Sequence, residues 1–250
     1  MSTEIPQTAV LSEEEQVASI LEHLPAETEI DVVVPTKGIF YFGKEMPIRM
    51  RPMTFDDEKS LVTGSRSVDF NAANYLLSRC LKNIEVDKLI IIDKLFLLIK
   101  LREISYGKDY KVGVICGNCN FENVLNLEID KLAVKEVPED FDYVNNSFFL
   151  DGIQKDIEIS VATVVEEHFL QGEKLSDNLW RFIRKIGGID NPTVIAQVID
   201  KLPIADIHNI VKKIMLSDYG VQPQIRYACD KCTNSNLISL PIDENFFSVN

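Results

Sequence analysis

Two cysteine pairs constrain this chain more than any other feature. Cys116 and Cys119 lie in "VICGNCNFENVLNLEID" (residues 114–130), Cys229 and Cys232 in "YACDKCTNSNLISLPID" (residues 227–243). A C-x-x-C turn puts two sulfurs on one side, which is half of a structural zinc site, because zinc takes four ligands in a tetrahedron. The pattern predicts one structural Zn2+ per chain, held by Cys116, Cys119, Cys229 and Cys232. Any fold must therefore bring together segments about 110 residues apart. Buried free cysteines are the plain alternative. Thioredoxin-like redox chemistry fits less well, since each pair follows an expected strand rather than opening a helix. A catalytic zinc is disfavoured too, because four thiolates leave no open coordination position.

The matching extends beyond the cysteines. A shift of 113 residues also places Asn123 on Asn236, Leu127 on Leu240, Ile129 on Ile242 and Asp130 on Asp243. Upstream it places Tyr106-Gly107 on Tyr219-Gly220, and "VDKLIIID" (86–93) on "IDKLPIAD" (199–206). Without a gap, 14 of 45 positions are identical over 86–130 against 199–243, which reaches well outside any metal knuckle and predicts a duplication. Earlier still, "PIRMRPMTFDDE" (47–58) resembles "DIEISVATVVEE" (156–167), with Thr54 on Thr163. The repeated unit spans roughly 37–130 and 147–243.

Each copy opens with strand-forming residues, around the turn Pro35-Thr36-Lys37-Gly38 in the first and Asp151-Gly152 in the second. Thr54 with Asp57, and Thr163 with Glu166, have the spacing of a helix N-cap with an acid at N3. A helix is expected over 70–82, with Leu76, Leu77, Cys80 and Leu81 on its apolar side and Cys80 in the core. Its counterpart divides into "SDNLWRFIRKI" and "NPTVIAQVI" around Gly187-Gly188, with Trp180, Phe182 and Ile183 on a core helix as the favoured reading and on a recognition face as the other. The last helix of each copy starts near Ile90 or at Pro203 as first helical residue, with Asp93 or Asp206 near the positive end of its dipole. Gly107 and Gly220 are expected to cap the ends of these helices.

The resulting expectation is an α+β fold of two tandem pseudo-symmetric repeats, each with a β-hairpin, helices and a zinc knuckle, joined at a shared four-cysteine zinc-ribbon-like site. Residues 1–29 form an acidic leader, 30–130 the first repeat, 131–146 a connector and 147–250 the second repeat. In the leader, Ser12 and Glu15 have capping-box spacing, and Val17, Ile20, Leu21 and Leu24 share a helical face. Such a helix either packs on its own body, the slightly favoured reading, or docks in a partner's groove.

Charge narrows the function. Of a net −13, residues 1–36 carry eight acids and no Lys or Arg, leaving −5 for the rest. Nucleic-acid binders carry a basic stripe, whereas only Lys108, Lys111, Arg226 and Lys231 lie near the knuckles. A zinc-ribbon nucleic-acid-binding or transcription factor is therefore the second choice, behind a scaffold that presents surfaces to other proteins. No secretion signal and no apolar run of membrane-spanning length are visible. His23, His168 and His208 recur at no metal spacing, and no nucleotide-binding or hydrolase motif is present, so no enzyme, catalytic residue or small-molecule substrate is expected.

"MRPMTFDDEKSL", followed by "LIKLREISYG" and then C-x-x-C, resembles the T4-type bacteriophage baseplate protein family, mainly over residues 30–130 with a weaker echo in 147–243. The resemblance implies a non-enzymatic tail-assembly role, as a baseplate hub component or an assembly chaperone. It implies other phage tail or baseplate hub proteins as partners, with no nucleic acid and no membrane. The implied location is the host cytoplasm during assembly, or the virion tail baseplate.

Overall fold

The helix Ile91–Tyr106 is the piece against which the rest of the chain packs. It is apolar on nearly every side, the pattern of a helix surrounded by protein. Leu97, Leu98, Ile99 and Leu101 enter the main core. Ile92 joins Ile90, Val137 and Leu216 in a small central cluster, and Ile91 packs on a core built from the C-terminal half. Each such buried side chain contributes about 1.5–3 kcal/mol.

The structure, a computed structural model, describes residues 12–22, 28–64, 72–242 and 244–247. Helix α1 (Glu13–Leu21) comes first, followed by β1 (Ile30–Val32), the single turn α2 (Ile39–Phe42) and β2 (Ile48–Met50), with β1 and β2 antiparallel. Helices α3 (Phe55–Gly64), α4 (Ala72–Cys80) and α5 (Ile91–Tyr106) lead into the hairpin β3 (Asp109–Ile115) and β4 (Glu122–Glu128). The connector holds β5 (Val134–Lys135), and then β6 (Ser147–Leu150) and β7 (Lys155–Ile159) form a hairpin. Next come α6 (Lys174–Asn178), β8 (Ile183–Ile186), α7 (Pro192–Ile199) and α8 (Ile204–Ile214). Strand β9 (Gly220–Val221) pairs with β5, and β10 (Gln224–Ala228) with β11 (Ser235–Ser239) makes the last hairpin. Mixed helices and small antiparallel sheets make this an α+β fold, as expected, and no described helix is long and apolar enough to cross a membrane.

Local devices recur between the halves. Thr54 gives its N–H and Oγ1 to one Asp57 carboxylate oxygen, at 2.8 and 2.9 Å. Thr163 does the same to Glu166, at 2.9 and 2.8 Å. The Arg51 N–H donates to the Cys80 carbonyl at 3.0 Å, and Ser160 to Phe182 at 2.8 Å. Cys80 is fully buried, as are Leu76 and Leu77. Asp57 is buried too, and accepts two bonds from Arg51, at 2.7 and 3.2 Å, and one from Arg79.

Several expectations need correction. The Pro35–Gly38 turn leads into α2 rather than a tight hairpin, and Gly38 there has φ 76° with the Met46 carbonyl packed against it. Glu166 is followed by a 3-10 turn, Glu167–Leu170, not an α-helix. The expected helix over "SDNLWRFIRKI" breaks up because Ile183 and Ile186 are both needed in the second core; α6 passes through the 3-10 turn Leu179–Phe182 into β8. Pro203 is the residue before α8, not its first. Gly107 caps α5 as expected, but α8 ends five residues before Tyr219-Gly220, with Leu216 taking the left-handed turn at φ 50°. Gly220 is needed for another reason: a Cβ there would sit 3.0 Å from the Cβ of Ile92. The leader helix has its capping box, but none of its residues is buried, and Ile20 is 79% exposed, so α1 does not pack on the body. Residues 70–71, His23, Leu24 and Asp243 lie outside the described residues.

Asp93, in the first turn of α5, ties that helix to the turn after β1. It accepts the Thr36 N–H at 3.2 Å, the Tyr41 hydroxyl at 2.6 Å and the Thr36 hydroxyl. Burial pushes its carboxyl from 3.8 up to about 6, although the Thr36 and Tyr41 bonds pull it down. A folded-state value above the unfolded one gives stability that is complete below the unfolded value and lost as the pH rises through the folded one. Asp93→Asn keeps the shape, and both hydroxyls can turn to accept from its amide. Its thermal midpoint should lack the decline between pH 3.8 and about 6 that Asp93 is expected to give wild type; identical profiles for the two proteins in a pH series of melts would contradict the assignment.

Candidate metal centre

The two C-x-x-C turns are the tips of the β3–β4 and β10–β11 hairpins, and they form by the same bonds. The Cys116 N–H donates to the Phe121 carbonyl at 2.9 Å and the Asn120 N–H to the Cys116 carbonyl at 2.9 Å. In the other hairpin Cys229 donates to Asn234 at 3.0 Å and Thr233 to Cys229 at 2.8 Å. Asn120 and Thr233 hold the left-handed conformation that closes each turn, with φ 54° and 56°. Every one of these pairs is separated by the same 113 residues.

The tips meet sulfur to sulfur. Cys116 lies 3.7 Å from Cys232, and Cys119 lies 3.7 Å from Cys229. All four sulfurs fall within 4.8 Å of one another, with Cys116 and Cys229 buried and the other two partly exposed. A tetrahedral ion with zinc–sulfur bonds of about 2.3 Å sets its sulfurs about 3.8 Å apart. Two of the separations match that spacing and the rest stay within 4.8 Å, so the cluster is compatible with such an ion. Cys80 lies in the main core instead.

Charge on the sulfurs is unevenly supported. The backbone N–H of Asn118 leads a set of contacts that draws the Cys116 thiol down to about 6. Burial opposes ionisation of Cys229, but the N–H groups of Cys232 and Lys231 bring it below its usual value. Cys119 has the Phe121 N–H aimed at it, yet burial and the neighbouring thiols push it up to about 12. Four sulfurs this close cannot all ionise unless a cation sits among them.

Sequence reasoning aligned Asn123 with Asn236 but assigned them no role. Both side chains reach the sulfur cluster, Asn123 at Cys229 and Asn236 at Cys116. Asn118 also reaches Cys232, at 3.6 Å. His168 stands exposed on a 3-10 turn, its ring nitrogen 2.8 Å from the Val165 carbonyl. Phe182 and Ile183 are core residues.

A family model described as T4 bacteriophage base plate protein matches residues 27–248. No match is found among curated proteins or among solved structures.

The two turns make opposite choices at one backbone position. A β-branched threonine in the left-handed region is strained by roughly 1–2 kcal/mol, whereas asparagine tolerates it. Thr233→Asn should raise stability by about 1 kcal/mol, and Asn120→Thr should lower it by a similar amount. Paired denaturant titrations check this; equal midpoints for the two variants would contradict it.

Proposed function

This chain belongs to the T4 bacteriophage base plate protein family, and from that premise we propose a non-enzymatic role in building the baseplate hub, as hub component or assembly chaperone. Its partners are other tail or baseplate hub proteins, met in the host cytoplasm during assembly. One structural Zn2+ on Cys116, Cys119, Cys229 and Cys232 clamps two tandem pseudo-symmetric units, 30–130 and 147–250, joined by the connector 131–146. The clamp gives a composite surface spanning both units one shape. The observation that carries this reading is the meeting of two sequence-distant hairpins at sulfur separations of 3.7 Å. The bonds that recur 113 residues apart support the pseudo-symmetry. Four thiolates saturate zinc, which suits a clamp rather than a reaction centre.

Small zinc fingers owe on the order of 10 kcal/mol to their metal because they have no other core. Here separate apolar clusters surround α5 and α8, so the clamp fixes the orientation of one unit against the other more than it makes either fold. Purified protein should carry one zinc per chain by elemental analysis, and Cys80→Ala should not change that. Cys229→Ser should carry none, keep most of its helical circular dichroism, and be cut sooner by protease at the two hairpin tips and the connector. In a phage complementation assay the same variant should fail to support baseplate assembly. Normal phage yield from a zinc-free variant would overturn the assembly role of the clamp, and complete unfolding on chelation would overturn the picture of two self-sufficient cores.

A further inference from the structure

The two asparagines beside the sulfurs make the same contacts from opposite sides. Asn123, on β4, donates its amide to the Phe121 carbonyl at 3.1 Å and points the same Nδ2 at the Cys229 sulfur, 3.7 Å away. Asn236, on β11, donates to the Asn234 carbonyl at 2.9 Å and brings its amide to the Cys116 sulfur, with Nδ2 at 3.6 Å as donor to a thiolate and Oδ1 at 3.7 Å as acceptor from a thiol. Phe121 and Asn234 are themselves 113 residues apart, like the asparagines and the cysteines. Each asparagine is thus braced on its own hairpin and reaches into the other. The reach is backed on the oxygen side: Asn123 Oδ1 accepts the Asp230 N–H of the opposite tip at 2.9 Å. Asn236 Oδ1 faces Gly117, which stands in the place of Asp230, with 4.0 Å to where a Cβ would be.

The sulfurs they reach are the two buried ones. Cys116 is 0% and Cys229 1% exposed, whereas Cys119 and Cys232 are partly exposed. A buried thiolate has no water to donate to it, so its remaining lone pairs must be met by protein N–H groups. Backbone N–H groups of each turn meet its own sulfur, and the asparagine amide adds a donor from across the interface. An N–H on a thiolate withdraws electron density from the sulfur and stabilises its charge, the usual work of residues that surround metal ligands.

We propose that Asn123 and Asn236 are a reciprocal pair of positioning residues for the four-cysteine metal site. Each crosses the hairpin interface to place an amide N–H against the first sulfur of the opposite C-x-x-C and so fix where that ligand sits. The pair couples metal binding to the docking of the hairpins: an asparagine finds its sulfur only when the two tips are seated together. This inference rests on the metal-clamp reading above.

The test uses the full chain loaded with Co2+, whose sulfur-to-metal charge-transfer absorption reports the electron density on the ligands, and with Zn2+ in competition against a chromophoric chelator. Asn123→Asp and Asn236→Asp keep the shape and the accepting oxygen but remove the amide donor. Each should bind one metal ion per chain, with the cobalt–thiolate band moved to longer wavelength and zinc affinity lowered by about 10–100-fold. Asn126→Asp adds the same charge to an exposed position on β4 and should follow wild type. Because Asn123 is buried, circular dichroism screens its variant for folding; Asn236 is only partly buried, and its variant alone suffices if Asn123→Asp does not fold. Folded variants whose band position and zinc affinity match wild type would overturn the asparagine assignment while leaving the clamp standing. A wild-type chain that takes up neither Co2+ nor Zn2+ would overturn the clamp itself, and this inference with it.

Discussion

The approach of Cys116 to Cys232 and of Cys119 to Cys229 joins the tips of two hairpins whose bases already share the main core. Beyond the core the tips offer little else to hold them together: exposed residues such as Ile115 and Val124, and a few side-chain bonds. Four thiols in mutual contact are a poor adhesive by themselves, since ionising one raises the cost of ionising the next. A divalent cation among them reverses the sign of that interaction. Crosslinking a loop of about 110 residues also removes roughly 4–5 kcal/mol of freedom from the unfolded chain, by analogy with a disulfide of that span. The proposed clamp therefore acts on the unfolded ensemble as well as on the folded interface.

Away from the proposed clamp the protein has separate hydrophobic clusters. Helix α5 is shared between them: its first turn meets the second core and the central cluster, and its later turns fill the first. Further ties cross between the halves. The Val164 N–H donates to the Leu89 carbonyl at 2.8 Å, Lys94 pairs with Glu167 at 2.9 Å, and β5 adds β9. A scaffold joined by packing near α5 and, as proposed, by metal at the far hairpins would resist hinge motion better than one joined at a single place. That property suits the proposed role of presenting surfaces to other baseplate proteins.

Much of this could be read from residue order because the governing interactions are local. Thr54 and Thr163 each bond an acid three residues on, and Ser12 with Glu15 closes its capping box, all within one turn of chain. The cysteine spacing likewise fixes a turn that backbone bonds complete. What escaped the sequence was decided by tertiary contacts. Ile183–Ile186 has helix-compatible residues but pairs with β7, because that strand exposes a free edge and the second core needs both isoleucines. Gly220 looks like a helix cap and is instead small to let Ile92 approach. Asn123 and Asn236 stood out as matched residues, but nothing in either hairpin alone says that each reaches the other's sulfur. The leader helix shows the reverse case: its local signals are strong, and its apolar face finds nothing on the described body to cover it.

The central claim is that the sulfur cluster is a zinc site, and zinc-edge X-ray absorption on the protein as purified tests it most directly. The account predicts a single shell of four sulfur neighbours at about 2.3 Å. A shell containing nitrogen or oxygen ligands, or no zinc absorption from folded protein, would contradict it.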